Sequence, residues 1–220
     1  MANLHYDTAH LLGAVVLLLS FGLLYQRRLF ALIQFFALQS MALAAAAAWQ
    51  GFIQDAWHLY ITAGLALTMK GLVIPIALHR IIVRLNIQRT VDTALGVGLT
   101  MIAGVSLVTL SILLVLPVTG DVSALTREDL ALALSVVLLG LLTMITRRNA
   151  IGQVVGFMSL ENGLILAAVG VEGMPLIVEM LVAFAVMVAF IIFGIFFFHI
   201  RERFDTLDLN YLENFRGERR

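Results

Sequence analysis

Cysteine is absent from the 220 residues, and this absence excludes a disulfide framework, a thiolate metal site and an iron–sulfur cluster held by this chain alone. Charge is scarce and balanced, because 14 Lys and Arg stand against 14 Asp and Glu, which leaves no general basic surface for nucleic acid. No segment resembles a nucleophile elbow, a phosphate loop or a zinc helix. His5 and His10 lack acidic or cysteine partners at ligand spacing. Neither catalysis nor metal binding by this chain alone is expected.

Apolar residues are abundant, at 61% of the total, which is far above the level of a soluble domain. A helix needs roughly 20 such residues to span the hydrocarbon layer, because every backbone polar group must bond within the segment. Seven stretches meet this requirement and predict an all-α, polytopic membrane protein: 8–25, 29–53, 57–78, 93–118, 129–146, 150–171 and 175–200.

The cations are distributed unevenly over the connecting segments. Arg127 falls on one predicted side of the membrane, and Lys70 falls inside the third segment. By the positive-inside rule, the other twelve cations predict an external N-terminus and a cytoplasmic C-terminus. These twelve are Arg27, Arg28, Arg80, Arg84, Arg89, Arg147, Arg148, Arg201, Arg203, Arg216, Arg219 and Arg220.

The chain also resembles itself when it is shifted by 120 residues. Because segments one to three and five to seven both enter from the same side, the match predicts parallel repeats, with the fourth segment as a linker. The predicted division is 1–90 for the first repeat, 91–128 for the linking helix and external loop, 129–203 for the second repeat and 204–220 for a tail. The shift superposes Arg27 and Arg28 on Arg147 and Arg148, Ala63 on Ala183, and His79 on His199. The shift does not preserve the charges, because Glu161 is aligned with Met41, Lys70 with Phe190 and Glu179 with Leu59.

Three ionisable residues lie within the predicted segments: Lys70, Glu161 and Glu179. A charge near the bilayer centre costs at least ~2.5 kcal/mol, so it persists where a partner, a water-filled path or a changed protonation state offsets that cost. Glu161 follows Arg148 by about 20 Å of helix, which is close to mid-membrane. Lys70 and Gln39 lie at comparable depth, whereas Glu179 is near the outer interface. These four residues are predicted to form a proton pathway, with helix–helix bonding or assembly as the alternative role.

The sequence around the two deepest charges contains residues that alter helix geometry and packing. Pro75 removes the amide that would bond the carbonyl of Gly71, next to Lys70. The surroundings of Glu161 predict close helix approach and hydrogen bonds across helices. They contain two glycines and two polar residues: Gly156, Ser159, Asn162 and Gly163.

Three motifs carry a resemblance to the E subunit of the hydrogenase-4 and formate hydrogenlyase family. Residues 146–163, which read TRRNAIGQVVGFMSLENG, resemble its element around a membrane glutamate. Residues 38–40 and 69–75, LQS and MKGLVIP, resemble its N-terminal half, and residues 206–210 resemble its tail. Segments five to seven are also similar to the three-helix K subunit of respiratory complex I, in which Glu161 matches a proton-translocating glutamate.

The resemblance implies a non-catalytic subunit of a bacterial or archaeal cytoplasmic membrane complex. Its implied partners are antiporter-like membrane subunits, other small membrane subunits and a soluble hydrogenase-like arm. The chain itself would hold no cofactor, and the nickel–iron centre and iron–sulfur clusters would lie in partner subunits. One expected acidic residue, midway along the last segment, is missing, since Ala185, Val186 and Met187 stand there.

Two other functions remain open from the sequence. The chain is either a structural spacer between pumping subunits, with its buried charges serving assembly, or a small subunit of a multi-subunit cation/proton antiporter. The antiporter alternative arises because the small C-type subunit of those complexes shares the same three-helix ancestry.

Overall fold

The computed structural model describes residues 2–84, 95–118 and 124–170, which form helices joined by short connections and contain no strand. The helices are α1 (Ala2–Tyr25), α2 (Leu29–Ile53), α3 (Trp57–Leu65), α4 (Ile74–Arg84), α5 (Val97–Val118), α6 (Ala124–Thr146) and α7 (Ala150–Gly170). An eight-residue π-helical segment, Ala66–Val73, joins α3 to α4 without a break.

Six spans of the described chain are long and apolar enough to cross a membrane: α1, α2, the continuous helix Trp57–Arg84, α5, α6 and α7. The chain is therefore a multi-pass membrane protein, as its composition predicts. The seventh predicted segment 175–200, the tail 204–220 and Glu179 lie outside the described residues.

Several helices differ in length from the apolar stretches that predict them. α1 begins at Ala2 and α6 at Ala124, before the predicted starts at residues 8 and 129, and α5 begins at Val97 rather than residue 93. α4 runs to Arg84 instead of ending near residue 78, because its last turns are amphipathic. Hydrophobic length determines how much of a helix fits in lipid, and a helix continues past that limit where polar residues meet water.

The four helices α1, α2, α6 and α7 form a central bundle. α1 and α2 form the first hairpin, connected by residues 26–28, and α6 and α7 form the second hairpin, connected by residues 147–149. The α3–α4 span packs on α2, and α5 packs on α1 and α6. The end of the bundle that contains both hairpin connections is called the arginine end below.

Backbone contact joins the two helices of the second hairpin. A Cβ added to Gly140 would collide with the backbone of Leu160, and one added to Gly156 would lie 2.5 Å from the Met144 nitrogen. A Cβ on Gly163 would lie 2.7 Å from the Val137 nitrogen. The close approach predicted for Gly156 and Gly163 is confirmed, and it leaves α7 largely buried.

A layer of polar side chains lies between two apolar parts of the bundle's buried interior. The part nearer the arginine end comes from α1, α2, α4 and α7 and contains Leu23, Phe36, Leu78 and Val155. The part nearer the opposite end contains Val16, Leu43, Val136 and Leu166. Seven buried residues of four of the spans form the layer between them: Ser20, Gln39, Ser40, Lys70, Ser159, Glu161 and Asn162.

Candidate functional site

Lys70 and Glu161 form an ion pair inside the bundle, with 2.6 Å between Lys70 Nζ and Glu161 Oε2. Lys70 is 6% exposed and Glu161 is 2% exposed. Glu161 lies 11 residues into the 21-residue helix α7, which places it about 17 Å along a helix of ~32 Å. Two of the four residues predicted from the sequence therefore meet halfway along the span.

The backbone that presents Lys70 is not an ordinary α-helix. Residues Ala66–Val73 are π-helical, and the N–H of Ile74 donates to the carbonyl of Met69, five residues earlier. The sequence predicts a local effect of Pro75 at Gly71 only, whereas the structure changes the hydrogen-bond register over two turns upstream of the proline. This segment directs the Lys70 side chain past α2 to α7.

Asn162 connects the ion pair to Gln39. Lys70 Nζ donates to Asn162 Oδ1 at 3.0 Å, and Asn162 Nδ2 donates to Gln39 Oε1 at 3.2 Å. Asn162 Nδ2 also donates to Ser40 Oγ at 3.2 Å. Gln39, the third predicted residue, therefore joins the site through a neighbour of Glu161 that the sequence identifies only as a polar helix–helix group.

Two more serines complete the network on the far side of Gln39. Gln39 Nε2 donates to Ser20 Oγ at 2.7 Å and to Ser159 Oγ at 2.9 Å. Ser20 Oγ donates to the carbonyl of Val16 at 2.9 Å. The network thus runs from α1 through α2 and α7 to the π-helical segment, across the bundle rather than along it.

The two carboxylate oxygens of Glu161 receive no hydrogen bond from the described residues. Both oxygens are buried. Oε2 is in ion-pair contact with Lys70 Nζ, whereas Oε1 contacts no donor or cation among the described residues. A buried carboxylate oxygen without a donor is costly unless a proton or an additional partner satisfies it. Since a short Nζ–Oε2 contact permits proton transfer between the two groups, the pair is able to hold one proton in either of two positions.

Arg147 has a role that sequence reasoning missed. It is 2% exposed and donates from Nη1 to Gln26 O at 2.7 Å, and from Nη2 to Leu23 O at 2.5 Å and Leu24 O at 3.0 Å. These carbonyls end α1, where a cation is favoured by the helix dipole. Burial, and then the charge of Arg27, lower the pKa of Arg147 to about 10, so the guanidinium is still charged at neutral pH. In the sequence, Gly152 was the residue that could have indicated this burial, because glycine leaves room for the Arg147 side chain, which a Cβ there would approach to 3.1 Å.

His10 is a second residue whose surroundings the sequence does not predict. Its Nδ1 lies 3.1 Å from Asp129 Oδ1, and its Nε2 lies 3.7 Å from Glu128 Oε2, so α1 and α6 meet at the end opposite the arginine end. The acidic partners that are missing along the sequence come from a helix about 120 residues away. Among the described residues, no group of three or more His, Cys, Asp or Glu side chains is arranged to hold a metal ion.

No protein-family model and no solved structure matches this chain. The chain is similar to the protein called Uncharacterized protein Rv0085 of Mycobacterium tuberculosis. The two sequences are 30% identical over 204 residues, which are 91% of this chain and 92% of the relative. At that identity and coverage, the chain belongs to the same family as this mycobacterial protein.

Proposed function

We propose that this chain is a non-catalytic membrane-arm subunit of a complex I-related group 4 hydrogenase, or of a related oxidoreductase complex, and that Lys70 and Glu161 contribute to proton translocation. The buried ion pair at mid-span carries the proposal. Two charges in the hydrocarbon region cost several kcal/mol to place, and such residues commonly mark ion pathways. The resemblance of residues 146–163 and 69–75 to the hydrogenase-4 subunit supports the same function.

The proposal includes the finer topology that the sequence predicts. It has seven spans, with the seventh at 175–200, an external N-terminus, a cytoplasmic C-terminus and parallel repeats, in the cytoplasmic membrane of a bacterium or an archaeon. One contact supports the repeat: Gln39 and Ser159, which are 120 residues apart, are hydrogen-bonded to each other across the bundle. Equivalent positions of two parallel repeats meet in this way when a pseudo-twofold axis passes between them.

The proposed partners are antiporter-like and other small membrane subunits and a soluble hydrogenase-like arm. Nickel–iron and iron–sulfur centres belong to those partners, because this chain has no cysteine to hold them. Glu179 is proposed as the outer member of the pathway on the strength of its sequence position alone.

The decisive experiment replaces Glu161 by Gln in the intact complex reconstituted in liposomes. Electron transfer and proton uptake are measured together, the second with a pH-sensitive dye. Glu161→Gln is expected to lower the number of protons moved per electron by about tenfold or more, while electron transfer and subunit composition are retained. The matched control is Glu128→Gln, which removes a carboxylate at a helix end where its side chain is 67% exposed. Normal pumping by Glu161→Gln would refute the proposal.

A structural spacer is the second candidate, and the hydrogen-bonded amides of Gln39 and Asn162 favour it because such networks also hold helices together. Lys70→Met separates the two functions. A spacer predicts lower recovery of the complex with unchanged coupling in each assembled complex, whereas a proton pathway predicts loss of coupling. The third candidate, an antiporter subunit, predicts sodium-dependent transport and no hydrogenase-like chain in the complex purified in mild detergent.

A further inference from the structure

In the hydrogen-bond network beside the ion pair, the groups at the two ends determine which atoms donate and which accept. At the α1 end, Ser20 Oγ lies 2.9 Å from the carbonyl of Val16, which can only accept, so the hydroxyl proton is committed there. Ser20 Oγ must then accept from Gln39, and the atom that faces it must be Nε2. Ser40 acts similarly, since it donates to the carbonyl of Phe36 and must accept from Asn162 Nδ2.

Lys70, at the other end of the network, independently requires the same assignment of donors and acceptors. Lys70 Nζ has no acceptor capacity as an ammonium, so the Asn162 atom 3.0 Å away must be Oδ1. Asn162 Nδ2 then faces Gln39, whose facing atom must be Oε1. The amide orientations required by the serines and those required by the lysine are therefore identical.

Reversing either amide would break bonds at both of its ends. A flipped Asn162 would turn its Nδ2 donors toward Lys70 Nζ, and a flipped Gln39 would turn Oε1 toward a serine hydroxyl that is already committed. Each buried donor or acceptor left unsatisfied costs about 1–3 kcal/mol. Amide groups also lack a site that gains and loses protons near neutral pH, so the network in this orientation is a poor path for protons.

We infer that Gln39 and Asn162 are positioning residues, which hold Lys70 against Glu161. Because their amides do not conduct protons toward α1, protons enter and leave on the side of Glu161 Oε1. This inference rests on the proposed function and changes the role predicted for Gln39. Glu161 Oε1 has neither a hydrogen-bond donor nor a cation beside it among the described residues, so it is open to accept a proton or a hydrogen bond. Ser20, at the other end, has its proton and one lone pair engaged.

The chain offers a direct probe of this positioning, because Lys70 is its only lysine. Labelling with lysine that carries ¹⁵N at Nζ gives one side-chain signal for the full chain in lipid bilayers, and solid-state NMR follows that signal from ammonium to amine as pH rises. Gln39→Met keeps the side-chain length but removes the acceptor for Asn162, and Asn162→Leu removes the acceptor for Lys70. In both variants the transition is expected to move to lower pH, by about one unit, because the ammonium loses support.

The second measurement uses the reconstituted complex and distinguishes a closed end from a relay. Ser20→Ala is expected to shift the pH profile of proton uptake and to leave its maximal rate within about threefold of wild type, since hydroxyl removal loosens Gln39 without interrupting a path. Ser135→Ala is the matched control, because Ser135 is also a buried serine that donates to a carbonyl four residues earlier, with no amide partner among the described residues. It is expected to leave both quantities unchanged.

Two results would overturn the inference. An unchanged NMR transition in both Gln39→Met and Asn162→Leu would show that the amides do not position the lysine. A tenfold or greater fall in maximal proton uptake in Ser20→Ala, with an unchanged pH profile, would show that the α1 end conducts protons. The NMR result does not depend on pumping, so failure of the proposed function, seen as normal pumping by Glu161→Gln, is distinguishable from failure of the positioning role.

Discussion

The two hairpins of the bundle have corresponding places in the sequence but pack in different ways. In the first hairpin, side chains separate α1 and α2, and the ring of Phe35 lies over Gly22. In the second, glycines bring α6 and α7 into backbone contact at Gly140, Gly156 and Gly163. In the most apolar stretch of α7, 67% of the residues are buried, compared with 50% of the residues in that of α2. The closely packed hairpin thus carries the buried carboxylate.

The connections of the two hairpins also differ, because the second connection contains a buried arginine and the first an exposed one. Arg147 is buried and bonds the last carbonyls of α1, whereas Arg27, its equivalent under the 120-residue shift, is exposed. Position 152 is glycine and leaves room for the Arg147 side chain, whereas its equivalent, position 32, is leucine. The two connections have similar sequences, but Arg147 bonds the end of α1 inside the protein and Arg27 lies at the surface.

Removing the backbone contact of the second hairpin should have the largest effect on stability. Gly140→Ala is expected to lower the free energy of unfolding by about 3 kcal/mol, because the new methyl group meets the backbone of Leu160, which cannot rotate away. Unfolding in mixed micelles with increasing SDS measures the change.

Two further alanine substitutions sharpen this comparison of the hairpins. Gly22→Ala in the first hairpin meets the Phe35 ring, a side chain that can move, so a cost of about 1 kcal/mol is expected. Gly64→Ala meets no atom within 4 Å and should be neutral or slightly stabilising. Equal losses in Gly140→Ala and Gly22→Ala would contradict the difference between the hairpins.

An intermediate effect is expected at the arginine pair. Arg147→Gln should cost about 2 kcal/mol, because three carbonyls at the end of α1 lose a charged donor. Arg27→Gln should change stability by less than ~0.5 kcal/mol, as is usual for an exposed residue. The same SDS titration compares the two variants, and a similar loss in both would show that burial of Arg147 does not distinguish the connections.

A small effect is expected at the contact between α1 and α6 at the end opposite the arginine end. His10 faces Asp129 through Nδ1 and Glu128 through Nε2, and it can donate to both only when both nitrogens carry protons. His10→Gln should cost below ~1 kcal/mol, since partly exposed ion pairs are weak. Thermal unfolding of the variant and the wild type tests this, and a loss of about 2 kcal/mol or more would show that this contact contributes as much as a buried one.

The membrane spans were predictable because hydrophobicity adds along the chain and needs no knowledge of neighbours. Six of the seven predicted stretches correspond to described helices, with end points that differ where a helix continues into water. Lys70, Glu161 and Gln39 were found from polarity and depth alone, and the structure brings them into one network. Glu179 and the seventh stretch stay predictions.

The partners of those residues were not predictable in the same way. Asn162 was visible only as a polar neighbour of Glu161, and the acids near His10 lie on a helix far along the sequence. The π-helical segment extends further than the proline effect that the sequence suggests. Each of these depends on how helices rotate and approach each other, and apolar sequences of similar composition permit many such arrangements.

The sequence by itself determined that this is a multi-pass membrane protein and that two charges lie deep in its spans, because the cost of placing a residue in lipid depends on its own chemistry. Only the tertiary structure decided that Lys70 contacts Glu161, that Asn162 connects the lysine to Gln39 by hydrogen bonds, and that Arg147 rather than Arg27 is buried. These features require distances between helices, which packing sets through glycine contacts and through the donors and acceptors that remain to be paired.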